Sequence, residues 1–413
     1  MNYYHLLYNG LFDELVRTAL PNAENDTDAE RAYLRLFMAR DNVYQLSQET
    51  IDLLRREAEK GNKYAQFGYA RYHLSVQPKP NSLSESCRWA EAAMEQGLPD
   101  AKAMLASAYG FGDIGHVNWE KEEQLLQEAL DEGSELAAMY ILQNYCYGYH
   151  FKPALPDDAI LMAQDLILKQ EQAGIEPNGW WYYYLSNALE SMESRLRVAD
   201  NYRKAVELGV LRAYVDLILA YGYDEECNWT DNENYRHWLA EGVAHHSSGA
   251  LYLDAAREIA KDKWDTDFII RQLYESARLG NISSMELLGD IYYHGWYGAE
   301  VSYPQAFAYY TTGAMHFSVG SAEQLWQMMH EHLVERDLEY QDSIALRGAR
   351  TGSKKLLMET VIAHQEGRLA EFADEIEKYY VPIFDSPDFH IDGDDLPDDD
   401  PDPDDDGRYD SWA

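Results

Sequence analysis

Small and apolar residues fall along most of this chain on a four-residue step that restarts at a glycine every 34 to 41 residues. From Gly97 the steps meet Ala101, Leu105 and Tyr109; from Gly133 they meet Ala137, Ile141 and Tyr145. From Gly209 they meet Ala213, Leu217 and Tyr221, and from Gly280, Ser284, Leu288 and Tyr292. Four residues turn an α-helix by about 400°, so these positions drift slowly along one face. Each anchor therefore opens a helix whose buried stripe runs small, large apolar, aromatic. Further glycines follow at plus fifteen, at Gly112, Gly148, Gly295 and Gly367, where a helix end needs a residue at ease with positive φ.

A second helical stretch leads from each unit to the next anchor: Ser84 to Glu95, Glu120 to Asp131, Arg195 to Leu208, Asp267 to Leu279 and Pro304 to Thr312. Gly61 and Gly352 sit on the same lattice. Asn25, Gly174, His246 and Ser318 continue it in eroded form, Gly174 with an insertion from Ile175 to Gly179. The ten anchors then lie 36, 36, 36, 41, 35, 37, 34, 38 and 34 residues apart. A period of this length is the mark of a repeat architecture.

The segments "AEKGNKYAQFGYARYHL", "AMEQGLPDAKAMLASAYGFG", "ALDEGSELAAMYILQNYCYG" and "ARLGNISSMELLGDIYYHGWYG" resemble the Sel-one-like repeat, a tetratricopeptide-like helix-turn-helix unit. The resemblance covers roughly residues 25 to 380. It implies an all-α, right-handed superhelical solenoid of about ten helix-turn-helix repeats, with a concave surface that docks peptides or protein partners. Residues 3 to 20 read as one amphipathic helix ended by Pro21, capping the open end of the stack. The organisation expected is a capping helix over 1–24, repeats over 25–384 and a disordered acidic tail over 385–413.

Charge narrows the partner. Acidic residues outnumber basic ones 73 to 34, a formal net charge of −39. That argues against nucleic-acid backbone or anionic membrane as partner, and favours a neutral or basic protein. The stretch from Asp385 to Asp410 holds 13 aspartates against Arg408 alone, too little apolar surface to fold. Without that net −12, about −27 remains on the rest. Asp402, Asp404, Asp406 and Gly407 spell the opening of a calcium loop, but its twelfth position falls on Ala413, where a glutamate is needed. These aspartates are candidates for partner contact; no metal site is assigned to them.

Three cysteines, Cys87, Cys146 and Cys227, show no metal spacing and read as free thiols of a reducing compartment. With neither a signal peptide nor an 18-residue apolar run, a cytoplasmic location is expected.

Chemistry is sparse. Phosphate loops, nucleophile elbows and H-E-x-x-H or C-x-x-C patterns are absent from the sequence. His330 and His332 point to different faces of one helix, so with Glu331 and Glu335 they do not chelate together. No catalytic residue and no cofactor are assigned. The block Trp180, Trp181, Tyr182, Tyr183, Tyr184 is denser than one buried stripe requires. Either it fills space left by the insertion, or Trp180, Trp181 and Tyr183 present binding anchors in the groove.

Two functions of different class follow. The first is a non-enzymatic interaction scaffold or adaptor with an acidic concave surface for a basic protein or peptide. The second is an acidic inhibitor or immunity protein that neutralises a basic toxin or nuclease. An enzyme acting on cell-wall-related material, as some cysteine-rich relatives are described, is disfavoured by the missing cysteine staples.

Overall fold

The computed structural model describes residues 2–76, 80–190, 195–222, 230, 232–386 and 389, with backbone alone at 76 and 80–83. Among the described residues the regular structure is helical, with one isolated β-bridge between Tyr149 and Lys152. Helices pack in consecutive pairs, each chiefly on the next in the chain, which is the all-α solenoid expected. Two compact units divide the chain. Unit 1 comprises Met1–Asp254 and Arg278–Asn281; unit 2 comprises Ala255–Ala277 and Ile282–Ala413.

The period seen in the sequence is a backbone fact. Gly61, Gly97, Gly133, Gly174, Gly209, Gly280 and Gly352 take φ from +64° to +104°, and a helix starts within a few residues of each. A left-handed residue there lets the chain reverse between helices, and a side chain resists it by roughly 1–2 kcal/mol. Two eroded anchors bear that strain without glycine: His246 at φ +53° and Phe317 at φ +69°. Phe317, one residue before the expected Ser318, is therefore the true anchor. Ser318 is an N-cap, its hydroxyl accepting from the Ser321 N–H at 2.9 Å.

The N-terminal segment departs from expectation. Residues 3 to 20 form two helices, Tyr3–Tyr8 and Phe12–Ala19, parted at Gly10 with φ +68°. They reach well past the first repeats of unit 1. The Tyr8 hydroxyl donates to Glu176 at 3.3 Å, and a Cβ on Gly209 would lie 3.1 Å from the Tyr8 ring.

Side chains staple successive helix pairs in both units. In unit 1, Arg71 donates to the Phe37 and Met38 carbonyls at 2.8 and 3.3 Å. In unit 2, Arg347 does the same to Ala314 and Met315 at 2.8 and 2.9 Å. A guanidinium there satisfies the carbonyls that a helix end leaves open. Tyr33, Tyr202, Tyr310 and Tyr380 are fully buried, deeper than the rim position that packing alone suggests. Tyr33 donates to the Tyr64 carbonyl at 2.9 Å. The others donate to carboxylates: Tyr202 to Glu190 at 2.7 Å, Tyr310 to Asp290 at 2.6 Å and Tyr380 to Glu375 at 3.2 Å. Glu375 also takes a two-pronged bond from Arg350, at 2.9 and 2.7 Å, which ties the end of unit 2 to helix Leu338–Thr351.

Close approach depends on glycine at Gly68, on helix Lys63–Val76. A Cβ there would stand 2.4 Å from the Tyr33 hydroxyl and 2.7 Å from the Phe37 ring. Both rings are fully buried and cannot retreat. Gly68→Ala is expected to lower the unfolding free energy by about 1–2 kcal/mol, overpacking outweighing alanine's helix propensity. A urea midpoint equal to that of the parent chain contradicts this packing.

Candidate functional site

Within unit 1, segments far apart in sequence meet around Glu135, the first residue of helix Glu135–Tyr147. Arg35, from helix Thr27–Leu36, grips its carboxylate with Nε at 2.7 Å and Nη2 at 2.8 Å. The same guanidinium donates to the carbonyls of Glu176 and Pro177, at 2.9 and 3.1 Å. Gln170 and Asn178 add amide donors to Glu135 at 2.8 and 2.9 Å. Gln170 in turn accepts from the Trp181 indole N–H at 3.0 Å. The Arg35 side chain is 4% exposed, so this charge pair stands largely out of water, where hydrogen bonds to all its groups are what make it tolerable.

A cavity of about 380 Å³ opens beside this network. Leu98, Ala138, Leu166 and Ile175 give it apolar walls, and Trp181 backs it. Its charged lining is Glu30, Asp100, Glu132 and Glu135 against Arg31. Lys102 pairs with Glu132, as Arg35 does with Glu135. Glu30 and Asp100 have neutral donors as partners: Glu30 takes the Tyr64 hydroxyl at 2.8 Å, and Asp100 takes the Leu136 N–H at 3.3 Å. Burial, and after it the charges of Glu135 and Glu30, push the Asp100 carboxyl up to about 7. The pocket is thus a mostly apolar cleft lined by two carboxyl groups, Glu30 and Asp100, that are in no ion pair among the described residues, its Arg31 reaching Asp28 and Glu135. Chemically it suits an ammonium or guanidinium on an apolar stem.

Asp100 also has a structural task. It binds the opening of the next repeat's helix, as Glu286 does for Ser318 and Ser321 and Glu323 does for Ser353.

The aromatic anchors read from the sequence lie elsewhere than expected. Trp180, Trp181 and Tyr183 are 8%, 0% and 2% exposed, so they pack as core residues, with Trp181 backing the cavity. The reason is that the helix Gly179–Leu189 that carries them is packed on several sides, by helices Glu135–Tyr147, Pro156–Gln172 and Arg195–Glu207. Tyr183 is engaged through its hydroxyl, which accepts from Arg212 at 2.8 Å. Asp402, Asp404 and Asp406 lie outside the described residues. Arg35, Glu135 and Asp100 escaped the sequence reading, since nothing local links residues 100 positions apart.

Among the described residues, no three His, Cys, Asp or Glu side chains converge as a metal ion requires. None of the described helices is long and apolar enough to cross a membrane. His330 stacks on Trp326 with ring centroids 4.8 Å apart.

The fold and pocket together define a class: an all-α repeat protein built from stacked helix pairs. Similar solved structures are a Sel1 repeat protein from Oxalobacter formigenes and a protective antigen of uropathogenic Escherichia coli displaying an SLR fold. The first has 18% identity and a TM-score of 0.38, covering 77% of this chain and 92% of its own. The second has 17% identity and a TM-score of 0.36, covering 77% and 75%. No family model and no curated protein sequence matches the chain.

Two outcomes are expected here. Arg35→Met leaves the Glu135 carboxylate without its main cation and should cost about 3 kcal/mol of stability, part of it regained with Glu135→Gln. Equal unfolding midpoints for parent and Arg35→Met remove the network from its structural role. For Asp100, the folded carboxyl keeps its proton up to about pH 7, whereas the ordinary value is 3.8. Its contribution is therefore complete below pH 3.8 and is lost as pH rises through 7. Asp100→Asn should match the parent near pH 4 and exceed it near pH 8 by roughly 1–4 kcal/mol in chemical denaturation.

Proposed function

We infer that the chain is a non-enzymatic interaction scaffold whose pocket beside Glu30 and Asp100 receives a lysine or arginine side chain of a protein partner. The observation that carries this is the pair of carboxyl groups lining an apolar cleft, neither of them in an ion pair among the described residues. A cationic group there would gain two nearby charges in a site of low polarity, and its aliphatic stem would meet Leu98 and Leu166. The excess of acidic residues over the whole chain would speed the approach of a basic partner over a distance that salt shortens. Cys87 and Cys146 are free thiols, which agrees with an assignment to the cytoplasm.

The test is affinity capture with lysine- and arginine-bearing peptides, comparing the full chain with the Glu30→Gln/Asp100→Asn variant at low and high salt. Loss of the two charges is expected to weaken capture about tenfold, with both proteins folded by circular dichroism. Binding to the parent should also tighten from pH 6 to pH 8, because a cation beside Asp100 expels its proton. Equal capture by parent and variant at every salt concentration refutes the pocket as the site.

A further inference from the structure

We propose that Glu122 and His150 form a proton-operated latch that holds shut the loop between helices Glu135–Tyr147 and Pro156–Gln172 of unit 1. The loop is strained where it is latched. After Gly148 at φ +74°, His150 and Phe151 stand at φ +49° and +61°, two successive non-glycine residues in the left-handed region. Such a conformation costs about 1–3 kcal/mol per residue and persists only where surrounding contacts hold it. The Tyr149–Lys152 bridge closes the turn itself, and from outside the loop Tyr149 and His150 both reach a single carboxyl group.

Glu122 extends from helix Trp119–Asp131. One of its oxygens lies 2.6 Å from His150 Nε2, and the other takes the Tyr149 hydroxyl at 2.7 Å. The His150 and Glu122 side chains are 3% and 4% exposed. The imidazole lies flat on Trp119, with centroids 4.3 Å apart and planes at 21°. On the far side the carboxyl presses on Gly110, where a Cβ would come within 2.4 Å of it. The remaining charged or titratable groups around the pair are Glu123 on its own helix, Lys152 on the loop, and Asp113 and Tyr140 near the Tyr149 phenol. Lys152 already pairs with Glu123. Among the described residues His150 is the ion-pair partner that reaches Glu122, Lys152 acting on it only from a distance, so the group closes well while a proton lies between carboxyl and imidazole.

The number of protons held gives the latch its direction. Burial, with the Glu123 charge adding to it, lifts the Glu122 carboxyl to about 8 from its ordinary 4.5. Burial, and then Lys152, pushes His150 down to about 3 from its ordinary 6.5. The closed pair therefore carries one proton from about pH 3 to about pH 8. With the loop open and both groups in water, the pair carries two protons below 4.5, one from there to 6.5, and none above. Closure is accordingly best between pH 4.5 and 6.5 and weakens on either side, by up to tenfold per pH unit.

Two backbone amides report the state of the loop. The Lys152 N–H donates to the Tyr149 carbonyl at 2.8 Å, and the Leu155 N–H to the Tyr145 carbonyl at 2.7 Å. Hydrogen exchange of the full chain from pH 5 to pH 9, corrected for the intrinsic exchange rate, should show their protection falling above pH 6.5 by up to tenfold per unit. Glu122→Gln keeps both hydrogen bonds without a titrating carboxyl, and its protection should rise from pH 5 to pH 6.5, where the open loop's imidazole loses its proton, and stay level above. His150→Asn is the second variant, since asparagine tolerates the left-handed backbone. It removes the imidazole, so the decline should begin about two pH units lower. Parent protection that stays level overturns the latch, and so does a decline of the same onset in the parent and in either variant.

Discussion

A guanidinium drawn out of water by a carboxylate a hundred residues away holds unit 1 together. Arg35 fills its donors with both oxygens of Glu135 and with the Glu176 and Pro177 carbonyls. Four segments, from helices Thr27–Leu36, Glu135–Tyr147 and Pro156–Gln172 and from the insertion, therefore share one polar node. In an ideal solenoid each repeat touches only its neighbours, and its stability is a sum over adjacent pairs. Here a long-range ion pair adds a term that no pair of adjacent repeats contains. Glu135 and Gln170 of this node also line the cavity beside Asp100.

An excess of tyrosine and an excess of acid look like separate oddities of composition, yet in the folded chain they answer one another. Tyr64, Tyr149, Tyr202, Tyr310 and Tyr380 each donate to a carboxylate, those of Glu30, Glu122, Glu190, Asp290 and Glu375. A phenol buried between helices needs an acceptor, and an acidic side chain supplies one without a backbone carbonyl leaving its helix. Apart from Glu122, which keeps its proton to about pH 8, part of the negative charge is in this way structural. Glu30 is different in also facing the cavity, which is why it figures in the binding surface.

The local features of the fold were legible, and the distant ones were not. A glycine whose conformation reverses the chain leaves its mark every 34 to 41 residues, and the structure finds left-handed φ at each of the clear anchors. Phe317 was missed by one position because a phenylalanine in that conformation carries no sequence signal. The break at Gly10 was missed because apolar residues at helical spacing lie on both sides of it. The aromatic block was correctly seen as more than one stripe needs. Its burial came from packing on several sides by neighbouring helices, which the period of one helix does not report. The candidate pocket was invisible for the same reason: Glu30, Asp100 and Glu135 belong to three different repeats, and in the chain each is one acid among many.

Helix Lys63–Val76 can meet its neighbours as soon as they are made, but Arg35 must wait for a carbonyl 142 residues further along. At a synthesis rate of about 5–20 residues per second, that wait is roughly 7–28 s. Throughout it, the first helices of the nascent chain hold an uncompensated guanidinium that favours solvent over packing. Unit 1 thus begins as a row of local hairpins and gains this long-range tie only when the insertion emerges. Its first repeats are the earliest to be made and among the last to be locked.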